Sequence, residues 1–195
     1  MTSNESFSEC FVYITLPGQT QPVTAGRFEL TTNQSGISLG RFVYGKKYLE
    51  NPDAVEFDPV ELKLEPRIYE TTGLKGVFGA LRDASPDYWG RRVIERNSDK
   101  TQLNEVDYLL FSPDDRAGAL GFGLSQSPPA PKLLFNQTID LKKLQKIANA
   151  IVAEEDLPAH VVISQIEELM LMGTSMGGAR PKVIRVTCRG TTTSQ

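Results

Sequence analysis

Gly26-Arg27-Phe28-Glu29-Leu30-Thr31, followed by Thr32-Asn33-Gln34-Ser35-Gly36 and then Ile37-Ser38-Leu39-Gly40-Arg41-Phe42-Val43-Tyr44, is the stretch on which the fold turns. Arg27, Phe28, Glu29 and Leu30 alternate polar and apolar, the period of a strand with one wet and one dry face. The cluster 32–36 is turn chemistry, and residues 37–44 return as a second strand that stops at Gly45. So short a connection cannot make a parallel crossover, which needs a dozen or more residues, so the pair is antiparallel. Upstream, Phe11 to Leu16 carries Phe, Val, Tyr, Ile and Thr, which suit a pleated surface, and Pro17-Gly18 ends it with a turn. The three segments predict an antiparallel meander.

Working outward, the texture becomes helical near Leu74. Ser85-Pro86-Asp87 predicts a helix start, with a hydroxyl cap, proline at the first helical position and an acid in the first turn. Trp89, Val93 and Ile94 fall on one face of that helix, and Arg91, Arg92 and Glu95 on the other. Asn104 to Phe111 reads as a second short helix stopped by Ser112-Pro113. Ala119 to Leu124, short and apolar, fits a strand closing the module. Ser127-Pro128-Pro129-Ala130-Pro131 is stiff, polyproline-like linker sequence. Beyond it, Leu141, Leu144, Ile147, Ala148, Ile151 and Val152 recur at the helical period, as do Val162, Ile166, Leu169 and Met170 in a segment from Ala159 to Met172. Such stripes are core-forming faces. The fold class expected is α+β: a small antiparallel sheet or partial barrel with helices over residues 1–126, a Pro-rich linker at 127–132, and a helical pair leading into a Gly-rich loop over 133–195.

Composition narrows the function. A chain of 195 residues allows one compact domain, or one and part of a second. With 24 acidic against 21 basic side chains, it lacks the broad basic field that nucleic-acid binding needs, so no direct nucleic-acid contact is expected. Arg91-Arg92 beside Trp89 is better read as a charged helix face over a core tryptophan. Cys10 and Cys188 stand near opposite ends and make neither a disulfide framework nor a zinc knuckle, a pattern suited to a reducing cytoplasm. Met1 to Cys10 is polar and acidic where a signal peptide needs a basic start and an apolar run. No apolar stretch approaches the roughly 20 residues of a membrane span. A cytoplasmic location without membrane contact is expected. The single histidine, His160, reads as a solvated surface residue, and Asp114-Asp115, next to Ser112-Pro113, as a turn in preference to a metal pair.

One segment carries chemistry. Gly173-Thr174-Ser175-Met176-Gly177-Gly178-Ala179-Arg180-Pro181-Lys182 combines glycines, hydroxyls and two cations after a helical stripe and before the strand-like Val183 to Thr187. Glycines let the backbone approach an anion and aim successive N–H groups at it, and Arg and Lys add charge. It is not a Walker loop, since Ala179 follows Gly178 where that pattern has Lys. On spacing alone, a plain glycine turn and a phosphate loop both remain open.

Three blocks, taken together and in order, decide between them. They are Phe42-Val43-Tyr44-Gly45 with Tyr48-Leu49 and Phe57-Asp58-Pro59; Phe78-Gly79-Ala80-Leu81-Arg82-Asp83-Ala84-Ser85-Pro86-Asp87-Tyr88-Trp89-Gly90-Arg91-Arg92; and Asp107-Tyr108-Leu109-Leu110, Asp114-Asp115-Arg116-Ala117-Gly118-Ala119-Leu120-Gly121-Phe122 and the closing Gly178-Ala179-Arg180-Pro181-Lys182. This combination resembles the HipA family, serine/threonine kinases that act as toxins of bacterial type II toxin–antitoxin modules. The resemblance implies a β-rich N-terminal subdomain, a nucleotide loop and a helical catalytic lobe. It implies that Ser175 is the loop serine that autophosphorylates, and that Ser175, Met176, Gly177, Gly178, Ala179, Arg180 and Lys182 line the phosphates of ATP with Mg²⁺. It also implies a helix-turn-helix antitoxin as partner and an aminoacyl-tRNA synthetase as protein substrate.

The departure from the family is equally specific. A kinase needs a nucleotide-gripping Lys, a catalytic Asp and metal-holding Asn and Asp. In the family these lie after the loop, whereas here 13 mostly polar residues follow Lys182. No catalytic or metal-holding residue is therefore assigned. The expectation is the N-terminal portion of a HipA-type kinase toxin, truncated and inactive alone. The alternative is a non-enzymatic regulatory module that docks on a separate HipA-like kinase or on an antitoxin.

Overall fold

The computed structural model describes residues 7–98, 100, 102–112 and 118–129. Five strands make one open antiparallel sheet: β1 (Glu9–Ile14), β2 (Val23–Thr32), β3 (Ser38–Tyr44), β4 (Ile68–Thr71) and β5 (Leu120–Gly123), in the order β4-β3-β2-β1-β5. The expected meander is present, two residues earlier at its start than the Phe11–Leu16 reading. The Leu120–Gly123 strand returns beside β1, pairing Val12 with Phe122. The turn after β1 places Gly18 at φ 76° behind Pro17, and Gln19 N donates to Leu16 O at 2.9 Å. Only glycine adopts that conformation cheaply.

The alternation read from the sequence sorts the two faces of the sheet. Register places Cys10, Phe28, Phe42 and Tyr69 in one row across β1 to β4, all buried. The neighbouring row Glu9, Glu29, Arg41 and Glu70 lies on the opposite face, where Arg41 and Glu70 pair at 2.7 Å. Four short helices complete the described chain: α1 (Lys46–Leu49), α2 (Gly79–Asp83), α3 (Tyr88–Asn97) and α4 (Glu105–Phe111). Leu81 of α2 with Val106 and Leu109 of α4 join the sheet's apolar face in one core. No helix among the described residues is long and apolar enough to cross a membrane.

Two features were not legible as elements. The irregular stretch between α1 and β4 is held by tyrosine hydroxyls. Tyr44 accepts from Phe57 N at 2.9 Å and donates to Leu62 O at 2.8 Å, Tyr48 donates to Val55 O at 2.8 Å, and Tyr69 donates to Lys63 O at 2.7 Å. Loop carbonyls thus satisfy hydroxyls that the core would otherwise bury unpaired. Burial pushes the Tyr44 and Tyr48 phenols upward. The second feature is the turn at Gly73–Lys75, in which Leu74 (φ 47°) and Lys75 (φ 61°) are left-handed ahead of Gly76 (φ 81°). This turn presses Gly76 against β3, so a Cβ on Gly40 would lie 1.8 Å from Gly76 O.

Candidate functional site

The polar centre of the described chain is built where α2, α3 and α4 meet. Glu105 is the first residue of α4, a position at which a carboxylate complements the helix dipole. Its side chain is almost wholly buried, and two arginines close on it. Arg91 of α3 binds it through both guanidinium arms, Nη1 to Oε1 at 3.0 Å and Nη2 to Oε2 at 2.6 Å, and Arg82 of α2 adds Nη1 to Oε2 at 2.7 Å. Arg91 also donates to Ser85 Oγ at 3.0 Å and Pro86 O at 3.2 Å, and lies 4.3 Å from the centre of the Tyr108 ring. Tyr108 in turn donates to Glu95 at 2.7 Å.

Burial pushes the Glu105 carboxyl up. The Arg91 hydrogen bond and the charges of Arg91, Arg82 and Lys75 outweigh it, so the net displacement is downward. Burial and the Glu95 hydrogen bond both drive the Tyr108 phenol upward. A carboxylate kept ionised and held by two cations is a poor general acid, and a phenol kept protonated is a poor nucleophile. The arrangement suits joining helices, not moving protons.

A second cluster sits beside it and ties the start of the chain to α4. Asn104 caps α4 by accepting from Asp107 N at 2.9 Å, while Asp107 accepts from Asn104 N at 3.0 Å, a reciprocal capping box. The same two side chains grip Phe7: Phe7 N donates to Asp107 Oδ1 at 3.1 Å, and Asn104 Nδ2 donates to Phe7 O at 2.7 Å. Lys100 pairs with the buried Asp107 at 2.8 Å and lies 4.0 Å from the Phe7 ring centre.

These clusters correct two details of the sequence reading. The N-cap of α3 is Asp87, whose carboxylate accepts from Gly90 N at 2.8 Å, and Tyr88 is the first helical residue. Ser85 and Pro86 precede the helix and serve Arg91, because a charged acceptor at 87 caps better than the hydroxyl two residues earlier. Arg91 is not on a solvated face: its side chain is 15% exposed, drawn inward by Glu105. Trp89, Val93 and Ile94 are buried as read, and Trp89 Nε1 has no hydrogen-bond partner among the described residues.

The loop residues Ser175, Met176, Gly177, Gly178, Ala179, Arg180 and Lys182 lie outside the described residues, as do Asp114, Asp115, His160 and Cys188. The same holds for the helical stripes from Leu141 onward. Cys10 is buried in the core. Among the described residues no group of three or more His, Cys, Asp or Glu is placed to hold a metal ion. The arginine–glutamate cluster escaped the sequence reading because its partners stand 14 and 23 residues apart on separate short helices. The only local signals were the Asn104-x-x-Asp107 box and the acid that opens α4.

No curated protein matches the chain. The family model described as the HipA N-terminal domain matches residues 20–123, more than half of the sequence, and that span runs from just before β2 through the helix cluster to the end of β5. The chain belongs to the HipA family, by its N-terminal domain.

Proposed function

We propose that this protein is the N-terminal part of a HipA-type serine/threonine kinase toxin of a toxin–antitoxin module, and that it performs no phosphoryl transfer alone. The observation that carries the reading is the family match over residues 20–123. The geometry supports a scaffolding role for the matched span, since its two buried carboxylates are paired, Glu105 with arginines and Asp107 with Lys100, and its buried tyrosine hydroxyls are spent on loop carbonyls or on Glu95. Chemistry belongs to the Gly-rich loop Gly173–Lys182, which binds ATP with Mg²⁺ through Met176, Gly177, Gly178, Ala179, Arg180 and Lys182, and to the catalytic groups that the family places after it. Ser175 is its autophosphorylation site. The partners of the reading are a helix-turn-helix antitoxin and, as substrate, an aminoacyl-tRNA synthetase, with the cytoplasm as the compartment.

A second reading has one observation in its favour. The matched span together with β1 ahead of it has one continuous core running from Cys10 to Phe122, so the module can serve as a separate regulatory subunit that docks on another HipA-like kinase. One experiment separates the two. The purified 195-residue chain is incubated with labelled ATP and Mg²⁺, alone and with a full-length HipA-type kinase whose own loop serine is replaced. Absence of label alone, and label on Ser175 when the kinase is added, supports the first reading. Suppression of the kinase with no label on Ser175 supports the second. Label on Ser175 in the chain alone overturns both.

A further inference from the structure

We propose that the outer face of the five-stranded sheet, the face turned away from the core, is the docking surface for the chain's own continuation past the Pro-rich linker. The path of the chain after β5 is the first argument. Tyr13 faces outward, beside Gly121 in the register, and its ring lies across β5. A Cβ on Gly123 would fall 2.6 Å from the Tyr13 hydroxyl, so glycine at that position makes the room. The hydroxyl donates to Ser125 O, and Thr24 on the next strand donates to Gln126 O. Successive residues after β5 are thus held over β1 and then over β2. The chain leaves the module crossing its outer face, and Tyr13 is buried to 3% beneath it.

What lies ahead on that face is the second argument. Phe11, Arg27, Val43 and Ile68 form one register row. Phe11 and Val43 are only partly buried, belong to no part of the core, and Ile68 is 65% exposed. The next row holds three carboxylates, Glu9, Glu29 and Glu70; Arg27 pairs with Glu9 at 3.2 Å and Arg41 with Glu70 at 2.7 Å, so the two rows carry three carboxylates and two arginines. The sequence of 141–152 complements both rows, with Leu141, Leu144, Ile147 and Ile151 at helical spacing and Lys142, Lys143 and Lys146 between them. Reach is ample: from Ser127 to Leu141 the chain can span about 45 Å at roughly 3.3 Å per residue, against a sheet about 20 Å wide at roughly 4.8 Å per strand.

Hydrogen exchange on the full 195-residue chain tests the assignment, with Val43→Asp and Ile68→Asp as variants. Peptides covering 141–152 are expected to be protected in the wild type and to exchange at least tenfold faster in both variants, while peptides covering 23–32 and 105–111 keep their protection. Ile68→Asp keeps the test valid if Val43→Asp unfolds the module, because position 68 is already exposed. Protection of 141–152 that is absent in the wild type, or unchanged in a folded variant, overturns the proposal. So does loss of protection with Tyr88→Asp instead, at an exposed position of α3, which would seat the segment on that helix. A wild type that sediments as a dimer and becomes monomeric with Ile68→Asp would give the face to a second copy, and would also overturn it.

Discussion

Gly40 and Gly76 meet backbone to backbone, and this contact sets the most stringent single-residue requirement in the module. A Cβ at 40 would stand 1.8 Å from Gly76 O, inside any tolerable contact, and the obstacle is backbone that no rotamer change can remove. Gly40→Ala must therefore push the left-handed Leu74–Gly76 turn off β3. The expected loss is about 3 kcal/mol, the upper end for overpacking, read as a lower urea midpoint with unchanged slope. Glu105 makes the second residue-scale prediction. Its carboxyl is displaced downward in the folded state, so the stability it contributes is present above the unfolded value near 4.3 and is lost as pH falls through the folded value. Glu105→Gln leaves Arg91 and Arg82 facing a neutral group, and is expected to cost about 3–5 kcal/mol at pH 7. The acid limb should flatten with it: between pH 5 and pH 2 the variant loses less stability than the wild type. Arg82→Gln, at a more exposed partner, is the milder version of the same test.

At the scale of elements, the short helices are stabilised by their ends more than by their length. Helix α4 has seven residues, too few to stand alone in water, and depends on the Asn104–Asp107 box and on Val106 and Leu109 in the core. Because Asn104 also grips Phe7, one substitution reports on two functions. Asn104→Ala is expected to cost about 2 kcal/mol, at the high end for a cap, because the bond to Phe7 O goes with it. Asn104→Ser keeps the cap and loses only the Phe7 contact, so about half that loss should return. Equal losses in the two variants, measured by denaturant titration, would show that the cap contributes nothing. The Asn104 start and Ser112 stop of α4 were legible because capping is local chemistry. Strands β2 and β3 were legible for a similar reason, since alternation over six or more residues is local and one face of each is dry. Strand β4 was not: its four residues, Ile-Tyr-Glu-Thr, are too short to show a period.

For the whole molecule, the reading of the Gly-rich loop leads to a prediction about affinity. Ordering a glycine-rich backbone costs about 1–2 kcal/mol per residue, against a few charge-assisted contacts from Arg180 and Lys182. The 195-residue chain alone is expected to bind ATP no tighter than about millimolar, near −4 kcal/mol. A catalytic lobe supplied in trans should tighten it by holding the loop ready. Calorimetry decides: a micromolar, Mg²⁺-dependent dissociation constant for the chain alone would mean that its nucleotide site is complete.

The sequence by itself determined the meander, the short helix α4, the last strand of the sheet and the family, because each rests on a pattern of neighbouring residues or on motifs in order along the chain. The inward turn of Arg91 was decided only in three dimensions. At the level of the helix it belongs to the charged face; what reverses it is Glu105, brought beside it from 14 residues away. Tyr44 reads as an ordinary strand aromatic and Tyr48 and Tyr69 are assigned to no element, and only folding shows that their hydroxyls hold the stretch 55–63. The close pairing of Gly40 with Gly76 likewise has no signature in either neighbourhood. The physical reason is common to all three. Burial makes an unpaired polar group or a stray methyl expensive, and which groups become buried together is a property of the packed chain, not of any window of sequence.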